Sequence, residues 1–414
     1  MGIVVQKFGG TSVADSERIR VVADRVVETK KRGNDVVVVV SAMGKSTDNL
    51  VDLAFQVCDQ PAPRELDMLL TAGERVSIAL LCMAVIDRGV NATSFTGSQA
   101  GILTDAIHGK AKILEINAYR VREALEEGKV PVIAGFQGVS TTKDVTTLGR
   151  GGSDTSAVAM AAALGASVCE IYTDVDGVYT ADPRRVPSAR KLSQVSHEEM
   201  LEMAAAGAGV LQVRSVEVAR NYGVPVSVRS SFVDVPGTWI VKEEEIMERA
   251  IVSGVAHDVS EAKMTVRRVP DRPGVAAIIF RSLADAAVNV DMIVQNVSLD
   301  GYTDVSFTLP KTDLPVAHAV LNKICKRIDA AGYDTNENIA KISIVGAGMK
   351  THPGVAADMF TQLAEVGVNI DMISTSTIRL SCVIAVDQLD TALQAIHAHF
   401  ELEKLPKISA RADT

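Results

Sequence analysis

Two stretches in the last 165 residues or so of the chain are near copies of each other. Arg272–Ile293 and His352–Ile373 align at an offset of 80 residues and are identical at 13 of 22 positions. Each copy follows an apolar run, Lys263–Val269 or Lys341–Val345, and continues with patterns typical of a helix, two strands and a second helix. This order predicts a βαββαβ unit of about 70 residues, present twice. The alternative to a ligand-binding role is that the two copies pack only as a structural pair.

The first 230 residues or so alternate between short apolar runs and helical patterns. The predicted strands are Ile3–Val5, Val36–Val40, Val130–Ala134, Val168–Tyr172 and Val224–Val228. The predicted helices lie near 15–31, 64–88, 117–127, 153–164 and 197–221. Fully apolar strands that alternate with helices favour a mostly parallel sheet covered on both faces. Such sheets bind ligands at the carboxyl ends of their strands.

A change of composition separates these two parts of the chain. Asp234-Val-Pro-Gly237 is a turn signal, and a run of three glutamates begins at Glu243. We therefore expect a first domain at 1–232, a linker at 233–249, and the two repeat regions at 250–337 and 338–414.

The composition excludes several classes of protein. The chain has 42 Lys and Arg against 51 Asp and Glu, a formal net charge of −9, and no dense basic run. We therefore expect neither nucleic acid nor an anionic membrane as a partner. No apolar run reaches the roughly 18 residues of a membrane span, and the N-terminal segment does not resemble a signal peptide.

The cysteines and histidines argue against a metal cluster. The five cysteines are scattered and never spaced as Cys-x-x-Cys, and none of the seven histidines forms His-x-x-x-His. This usage favours a reducing compartment, so we expect a cytoplasmic protein without a disulfide framework. We assign no residue to a metal.

The first predicted strand runs directly into Lys7-Phe8-Gly9-Gly10-Thr11-Ser12. Two glycines allow the backbone to approach an anion closely, and their amides can point inward as donors. The helix predicted near Asp15 adds its positive end, and Lys7 adds a full charge. These features predict a phosphate-binding turn, although the same sequence is as often no more than a turn.

A second glycine-rich turn, Gly149-Arg150-Gly151-Gly152-Ser153-Asp154, opens an Ala-rich helical pattern. Ser153 or Asp154 can cap that helix, and capping alone is the alternative to a functional role for them. Arg150 fits a site better, because a guanidinium can bind a carboxylate with two hydrogen bonds. A third turn, Gly135-Phe-Gln-Gly138, also follows a predicted strand, so the three turns should share one crevice.

Two further candidates are less specific. Tyr172–Arg184 carries three aspartates and an arginine after a strand, which fits a metal or nucleotide loop but lacks the spacing of an EF-hand. Glu74 lies inside a helical pattern, Thr71–Arg75, where a charged pair is more often solvated surface than part of a site.

Six motifs in register resemble those of the aspartate kinases of the amino-acid kinase family: KFGGTSV, SAMG, LLTAGE, GFQG, TTLGRGGSDTSA and YTDVDGVYTADPR. The repeat resembles the paired ACT regulatory domains of that family, and the resemblance covers nearly the whole chain. It implies an α/β amino-acid kinase fold, a mostly parallel sheet sandwiched by helices, followed by two α+β ferredoxin-like ACT domains. It also implies transfer of the γ-phosphoryl group of ATP to the β-carboxylate of L-aspartate, with Mg²⁺ bridging the phosphates.

The resemblance assigns roles to residues of this chain. Lys7 would neutralise the transferred phosphoryl group, and Asp154 would organise this lysine and the metal region, so these two are the catalytic candidates. In the substrate site, Arg150 would bind a carboxylate of aspartate and Glu74 its amino group. The substrate-binding candidates are Thr47, Glu74, Arg150, Gly151, Gly152 and Ser153. The nucleotide-binding candidates are Lys7, Gly9, Gly10, Ser41, Thr173, Asp174, Tyr179, Asp182, Arg184 and Gly209.

One position departs from the family pattern. Members usually have a lysine in Gly-(Ala/Ser)-Lys-(Val/Ile)-Leu, whereas this chain reads Gly207-Ala-Gly209-Val-Leu211. The family's lysine reaches the nucleotide phosphates, and its loss should cost about 2–4 kcal/mol of transition-state stabilisation unless Arg214 or another cation replaces it. Gly209 should also loosen the start of a helix over 210–221.

The ACT resemblance implies feedback inhibition by lysine and/or threonine bound between two such units. The effector-binding candidates are Asp271, Gly274, Ala276, Asn289, Asp291, Gln295, Asn369, Ile370 and Ser376. Asn289 and Asn369 are alternatively simple turn residues before strands. Such units usually pair with another copy, so we expect at least a homodimer through the ACT domains. Met247 is a candidate internal start for a separate regulatory chain.

Two other functions are left open by the sequence. Gly209 favours an amino-acid-sensing protein with a weakened or inactive kinase domain. The retained catalytic and substrate candidates argue against it, because a decayed site should lose several of them at once. A relative that phosphorylates glutamate or carbamate is disfavoured by the double ACT region and the LLTAGE segment.

Overall fold

The computed structural model describes residues 2–246, 250–296 and 300–404. These residues form two compact units. The first contains 2–179, 191–205 and 209–246, and the second contains 180–190, 206–208 and the described residues from 250 onward. The expected start of a separate chain at Met247 lies outside the described residues.

An eight-stranded sheet in the order β10-β12-β11-β9-β1-β2-β6-β3 forms the centre of the first unit. A smaller sheet in the order β5-β4-β7-β8 lies in the same unit. The strands are β1 Ile3–Phe8, β2 Asp35–Val40, β3 Ala92–Phe95, β4 Ile102–Thr104, β5 Ile113–Ile116, β6 Val130–Ala134, β7 Gln137–Ser140, β8 Val145–Thr147, β9 Val168–Thr173, β10 Gln194–Ser196, β11 Val226–Ser230 and β12 Thr238–Val241. The helices are α1 Ser16–Lys31, α2 Ser46–Val57, α3 Pro63–Leu70, α4 Ala72–Asp87, α5 Tyr119–Glu126, α6 Gly152–Leu164, α7 His197–Ala205 and α8 Val213–Tyr222.

Burial explains why the central sheet is mostly parallel. Strand β2 is buried along Val36–Val40, and β6 is buried along its whole length. Both faces of such strands must be covered, and helices that connect parallel strands provide that cover. In α1, Asp15 caps the first turn by accepting from the Arg18 amide, and the face that carries Ile19, Val22 and Val26 is buried. The predicted parallel α/β sheet is confirmed.

Two predicted helices are each broken into two. The pattern over 64–88 becomes α3 and α4, which meet at Thr71; the Thr71 carbonyl accepts a hydrogen bond from the Gln137 side chain at 3.3 Å. The pattern over 197–221 becomes α7 and α8, so the expected helix over 210–221 is wrong at its start. Gly207 lies between them with a φ of +104°, a left-handed conformation that interrupts a right-handed helix.

Helices α3 and α4 have one property that the sequence analysis did not identify. Pro63–Asp87 is long and apolar enough to cross a membrane by length and composition, with a mean hydropathy of 1.8 over 18 residues. Half of that stretch is buried inside the protein, and the core helices of soluble proteins pass the same test.

The second unit contains two antiparallel sheets of four strands, in the orders β15-β16-β14-β17 and β13-β18-β20-β19. The strands are β13 Gly254–Asp258, β14 Glu261–Pro270, β15 Ile293–Gln295, β16 Tyr302–Pro310, β17 Gly332–Asn336, β18 Ile339–Val345, β19 Met372–Thr375 and β20 Arg379–Ala385. The helices are α9 Val275–Asp285, α10 Leu314–Arg327, α11 Val355–Glu365 and α12 Leu389–His399. The first repeat is therefore a complete βαββαβ unit, as predicted.

The second repeat is completed by a strand from before the first. Strand β13 pairs antiparallel with β18, from Gly254 opposite Val345 to Asp258 opposite Lys341. The expected repeat regions at 250–337 and 338–414 therefore need correction, because β13 belongs to the second sheet. The physical reason is edge protection: no strand follows α12 in the described chain up to residue 404, and β13 pairs with the side of β18 that would otherwise be an open edge.

Candidate active site

Four neighbouring parallel strands end together and define the site. Phe8 of β1 is opposite both Val40 of β2 and Tyr172 of β9, and Val40 is opposite Ala134 of β6. Backbone hydrogen bonds join the segments that follow, from the Gly9 amide to the Tyr172 carbonyl at 3.3 Å and from the Gly135 amide to the Val40 carbonyl at 3.0 Å. The glycine turns after β1 and β6 therefore share one edge of the sheet.

Lys7 and Asp154 form a buried ion pair at this edge. Lys7 lies one residue before the end of β1, and Asp154 lies in the first turn of α6. Lys7 Nζ and Asp154 Oδ1 are 2.5 Å apart, and the two side chains are 10% and 11% exposed. Gly151 occupies the N-cap of α6 in the αL conformation, so neither Ser153 nor Asp154 caps the helix. The capping alternative for these two residues is wrong.

Glu74 is the third buried ionisable side chain of this edge. It lies in the first turn of α4 and is 2% exposed, so the expectation of solvated surface is wrong. Its Oε1 accepts a hydrogen bond from the Ala42 amide at 3.1 Å, just beyond the end of β2. Its Oε2 is buried and has no hydrogen-bond partner among the described residues. Burial raises the pKa of this carboxyl to about 7.

The second glycine turn places Arg150 at its apex. The Gly152 amide donates to the Gly149 carbonyl at 2.9 Å, and Gly151 has a φ of +68°. A Cβ on Gly151 would lie 1.9 Å from the Gln212 side chain, so both the conformation and the space require glycine. Arg150 is exposed and forms no hydrogen bond or ion pair within the described part of the chain. Its guanidinium is available for a ligand.

The remaining candidates of the first unit lie at the end of β9 or in the segments that follow β1, β2 and β9. Ser41 follows β2 directly, and Thr47 lies in the first turn of α2 rather than in a loop. Thr173 ends β9, and its hydroxyl donates to Asp174 at 3.1 Å. The Tyr179 hydroxyl donates to Asp176, 2.9 Å away. Gly9 and Gly10 follow β1.

Asp182 and Arg184 belong to the second unit. Within it they form an ion pair of 2.8 Å, with the Arg184 side chain 87% exposed. The hydrogen bonds from Arg184 lower the pKa of Asp182.

Comparison with known proteins identifies the family. Residues 2–230 match the model of the amino acid kinase family, and residues 267–324 and 342–400 match the ACT domain. The aspartokinase of Mycolicibacterium smegmatis is 59% identical over 408 residues, which cover 97% of each chain. This chain belongs to the aspartokinases of the amino acid kinase family. The resemblance of the sequence motifs is thereby confirmed.

Two solved structures support the family assignment across both units. Escherichia coli aspartokinase III in complex with aspartate and ADP, in its R-state, is 27% identical with a TM-score of 0.81. The same enzyme in complex with lysine and aspartate, in its T-state, has a TM-score of 0.76 at the same identity. Each match covers 96% of this chain and 99% of the E. coli chain.

Position 209, where this aspartokinase has glycine instead of the usual lysine of the family, lies in the segment between α7 and α8. Gly209 is exposed, has no left-handed φ, and a Cβ there would meet no atom within 4 Å. The backbone can therefore accept a lysine. Arg214, which we considered as a replacement cation, donates to the Leu148 and Ala111 carbonyls at 3.0 and 2.8 Å. Its guanidinium therefore binds these two backbone segments.

The effector candidates of this aspartokinase lie in three places. Asp271, Gly274, Ala276 and Gln295 line one cavity of about 360 Å³ at the start of α9. Asn289 is exposed in the segment that leads to β15, whereas Asp291 is bound to Lys341 at 2.5 Å. The others lie around β19 of the second sheet, namely Asn369, Ile370 and Ser376.

Sequence reasoning missed a buried carboxylate, Asp67, in α3. It is 1% exposed and contacts the strand that leads into the second glycine turn. An acidic residue seven positions before Glu74 in the same apolar helical pattern was the signal that could have found it.

Proposed function

We propose that this aspartokinase transfers the γ-phosphoryl group of ATP to the β-carboxylate of L-aspartate, giving 4-phospho-L-aspartate and ADP. The observation that carries this proposal is the set of three buried ionisable side chains at one sheet edge. Lys7 is held by Asp154, and Glu74 presents a carboxylate oxygen that has no partner in the described chain. The ammonium group of Lys7 suits an anionic phosphoryl group, and the free carboxylate oxygen of Glu74 suits the ammonium group of an amino acid.

The transfer forms one P–O bond and breaks another. A β-carboxylate oxygen of aspartate attacks the γ-phosphorus, and the bond to the bridging oxygen of ADP breaks. Such a reaction needs positioning and charge neutralisation more than covalent help. Lys7 would stabilise the charge on the transferred group, the amides after Gly9 and Gly10 would bind phosphate oxygens, and Asp154 would hold the Lys7 ammonium in place.

The aspartate site would use both ends of the amino acid. Glu74 Oε2 would accept from the α-ammonium group, and the Arg150 guanidinium would donate two hydrogen bonds to a carboxylate. Thr47 would contact the same substrate. Gly151, Gly152 and Ser153 would contribute the backbone of the turn that carries Arg150.

The nucleotide would bind on the side of Lys7 that faces away from the proposed aspartate site. Its proposed contacts within the first unit are Ser41, Thr173, Asp174, Tyr179 and the backbone at Gly209. Mg²⁺ would be bound mainly by the phosphates, since it keeps several waters and needs few protein ligands. Asp154 supplies the buried carboxylate of this site that fits such an ion, and the ion would add charge neutralisation.

Regulation would come from the ACT domains. A relative has been solved with lysine and aspartate bound, and we propose that lysine and/or threonine inhibits this enzyme. The cavity that Asp271, Gly274, Ala276 and Gln295 line is a suitable place for one effector.

We also propose a homo-oligomer, at least a dimer through the ACT domains. We further propose a cytoplasmic location, where the five free thiols stay reduced.

The direct test is aspartate-dependent formation of ADP from MgATP by the full-length protein. The acyl phosphate is trapped with hydroxylamine, which gives a hydroxamate in equal amount to the ADP. Glutamate and no acceptor serve as controls. ADP formation that does not depend on aspartate, or is equal with glutamate, would contradict the proposal.

The absence of a lysine at position 209 should limit the turnover of this enzyme. The same absence favours the second candidate function, an amino-acid sensor with a weakened kinase. We expect Gly209→Lys to raise kcat about tenfold or more, because a charge-assisted phosphate contact is restored. Steady-state rates of both proteins at saturating aspartate and MgATP measure this. Gly209→Met is the matched control, since it adds a similar chain without the charge. An increase below about twofold would mean that another cation already supplies the charge.

Glu74 should make aspartate binding depend on pH. Only the ionised carboxylate attracts an ammonium group, and burial raises the pKa of Glu74 to about 7. The KM for aspartate should therefore fall as pH rises, and be roughly tenfold higher at pH 6 than at pH 8.5. Glu74→Gln removes the titrating group, so its KM should be higher and flat over this range. An unchanged pH dependence in Glu74→Gln would assign the titration to another group.

A further inference from the structure

A buried carboxylate outside the proposed site contacts two segments at once. Asp67 Oδ1 accepts a hydrogen bond from the Thr147 hydroxyl at 2.6 Å and from the Gly109 amide at 3.1 Å. Its Oδ2 lies 2.7 Å from His108 Nδ1 and 3.2 Å from the Gly109 amide. A carboxylate that is 1% exposed is stable only when it is bonded in this way. Asp67 therefore fixes Thr147 and the 108–109 segment firmly against α3.

Thr147 leads directly into the turn that carries Arg150. It is the last residue of β8, and the turn begins two residues later at Gly149. The Thr147 carbonyl accepts from the Ala111 amide at 2.9 Å. The Arg150 side chain has no hydrogen-bond or ion-pair partner in the described chain. Its position therefore depends on the backbone of the turn that carries it. Any movement at Thr147 would be passed on to Arg150.

Asp67 also belongs to the helical segment that carries Glu74. Helix α3 meets α4 at Thr71, and the Gln137 side chain donates to the Thr71 carbonyl. Glu74 lies one turn further along in α4. One buried hydrogen bond, from Thr147 to Asp67, thus joins α3, the helix that leads into the one with the proposed ammonium acceptor, to the turn that carries the proposed carboxylate donor.

We propose that Asp67 is a positioning residue for aspartate, acting through Thr147. Aspartate has a fixed distance between its ammonium and carboxylate groups, so Glu74 and Arg150 can bind it together only at a matching separation. The Asp67–Thr147 bond holds that separation. This inference rests on the proposed aspartate site.

Two adjacent threonines of β8 provide a matched test. Thr147→Val removes the hydroxyl that binds Asp67. Thr146→Val removes a buried hydroxyl from the neighbouring residue; this hydroxyl lies 2.6 Å from the Thr104 hydroxyl and has no hydrogen bond to α3 in the described chain. We expect Thr147→Val to raise the KM for aspartate about three- to tenfold with kcat and the KM for ATP little changed. Thr146→Val should leave all three within about twofold.

A double-mutant cycle shows whether the effect passes through Arg150. Asp67→Asn should raise the KM for aspartate in the wild-type background but add little in the Arg150→Ala background. The inference is overturned if Thr147→Val behaves like Thr146→Val, or if the Asp67→Asn effect is undiminished without Arg150. Absence of aspartate-dependent ADP formation in the wild type would instead overturn the proposed function, and this inference with it.

Discussion

Lys7→Met should lower kcat at least about two hundredfold while the KM for aspartate changes little. Lys7 is the cation that the structure places at the end of β1, 2.5 Å from Asp154 and next to the turn at Gly9 and Gly10. Phosphoryl transfer moves negative charge onto oxygens that this ammonium would contact. Removal of a single preorganised donor of this kind costs about 3–4 kcal/mol of transition-state stabilisation, and a full charge in a buried site should cost no less.

Two controls separate this effect from a loss of folding. Lys7→Met leaves Asp154 buried without its cation, so Lys7→Met/Asp154→Asn should recover stability but not activity. Lys30→Met breaks another Lys–Asp pair, 2.8 Å to Asp35 at the opposite end of β2, and should leave kcat within about twofold. The rates are measured as ADP formation with saturating substrates. A kcat for Lys7→Met within tenfold of the wild type would exclude Lys7 from the proposed role.

Local patterns predicted the elements that build the site. The strands β1, β2, β6 and β9 are short apolar runs bounded by glycine turns, and each of these features can be recognised within a few residues of sequence. Because parallel strands end at one edge of a sheet, the turns at Gly9 and Gly135 could be expected to meet. The close contact between Lys7 and Asp154 follows from this geometry.

Pairings distant in sequence could not be predicted in the same way. Strand β13 completes the second repeat although Gly254 and its partner Val345 are far apart in the chain. No local pattern indicates which open edge a strand will cover. The burial of Glu74 is also a tertiary effect, since the Ala42 amide that it binds comes from another element. The same holds for Asp67, whose partners lie in the 108–109 segment and in β8.

The two ACT repeats contact each other through reciprocal charges, and these differ in burial. The strand lysine of each repeat faces the aspartate of the Asn-x-Asp-Met motif of the other. Lys263 lies 3.4 Å from Asp371, and Lys341 lies 2.5 Å from Asp291. The first lysine side chain is 22% exposed and the second only 2%. Lys341 has a second partner, Glu261, at 2.6 Å.

Lys341→Met should therefore destabilise the second unit by about 3–5 kcal/mol, because two carboxylates would be left without their cation. Glu261 already has one buried oxygen without a hydrogen bond. Burial alone would lower the pKa of Lys341, but Glu261 and Asp291 raise it above its ordinary value, so the lysine is charged at neutral pH. Lys263→Met, the equivalent change at the more exposed pair, should cost less than about 1 kcal/mol.

Hydrogen exchange of the β14, β16 and β18 amides in the full-length protein measures this cost within the second unit alone. The triple variant Lys341→Met/Glu261→Gln/Asp291→Asn should recover most of the loss, since it leaves no unpaired charge. Equal losses of stability in Lys341→Met and Lys263→Met would show that the burial of Lys341 does not increase the contribution of its ion pairs. A triple variant no more stable than Lys341→Met would show that lost packing, rather than unpaired carboxylates, causes the effect.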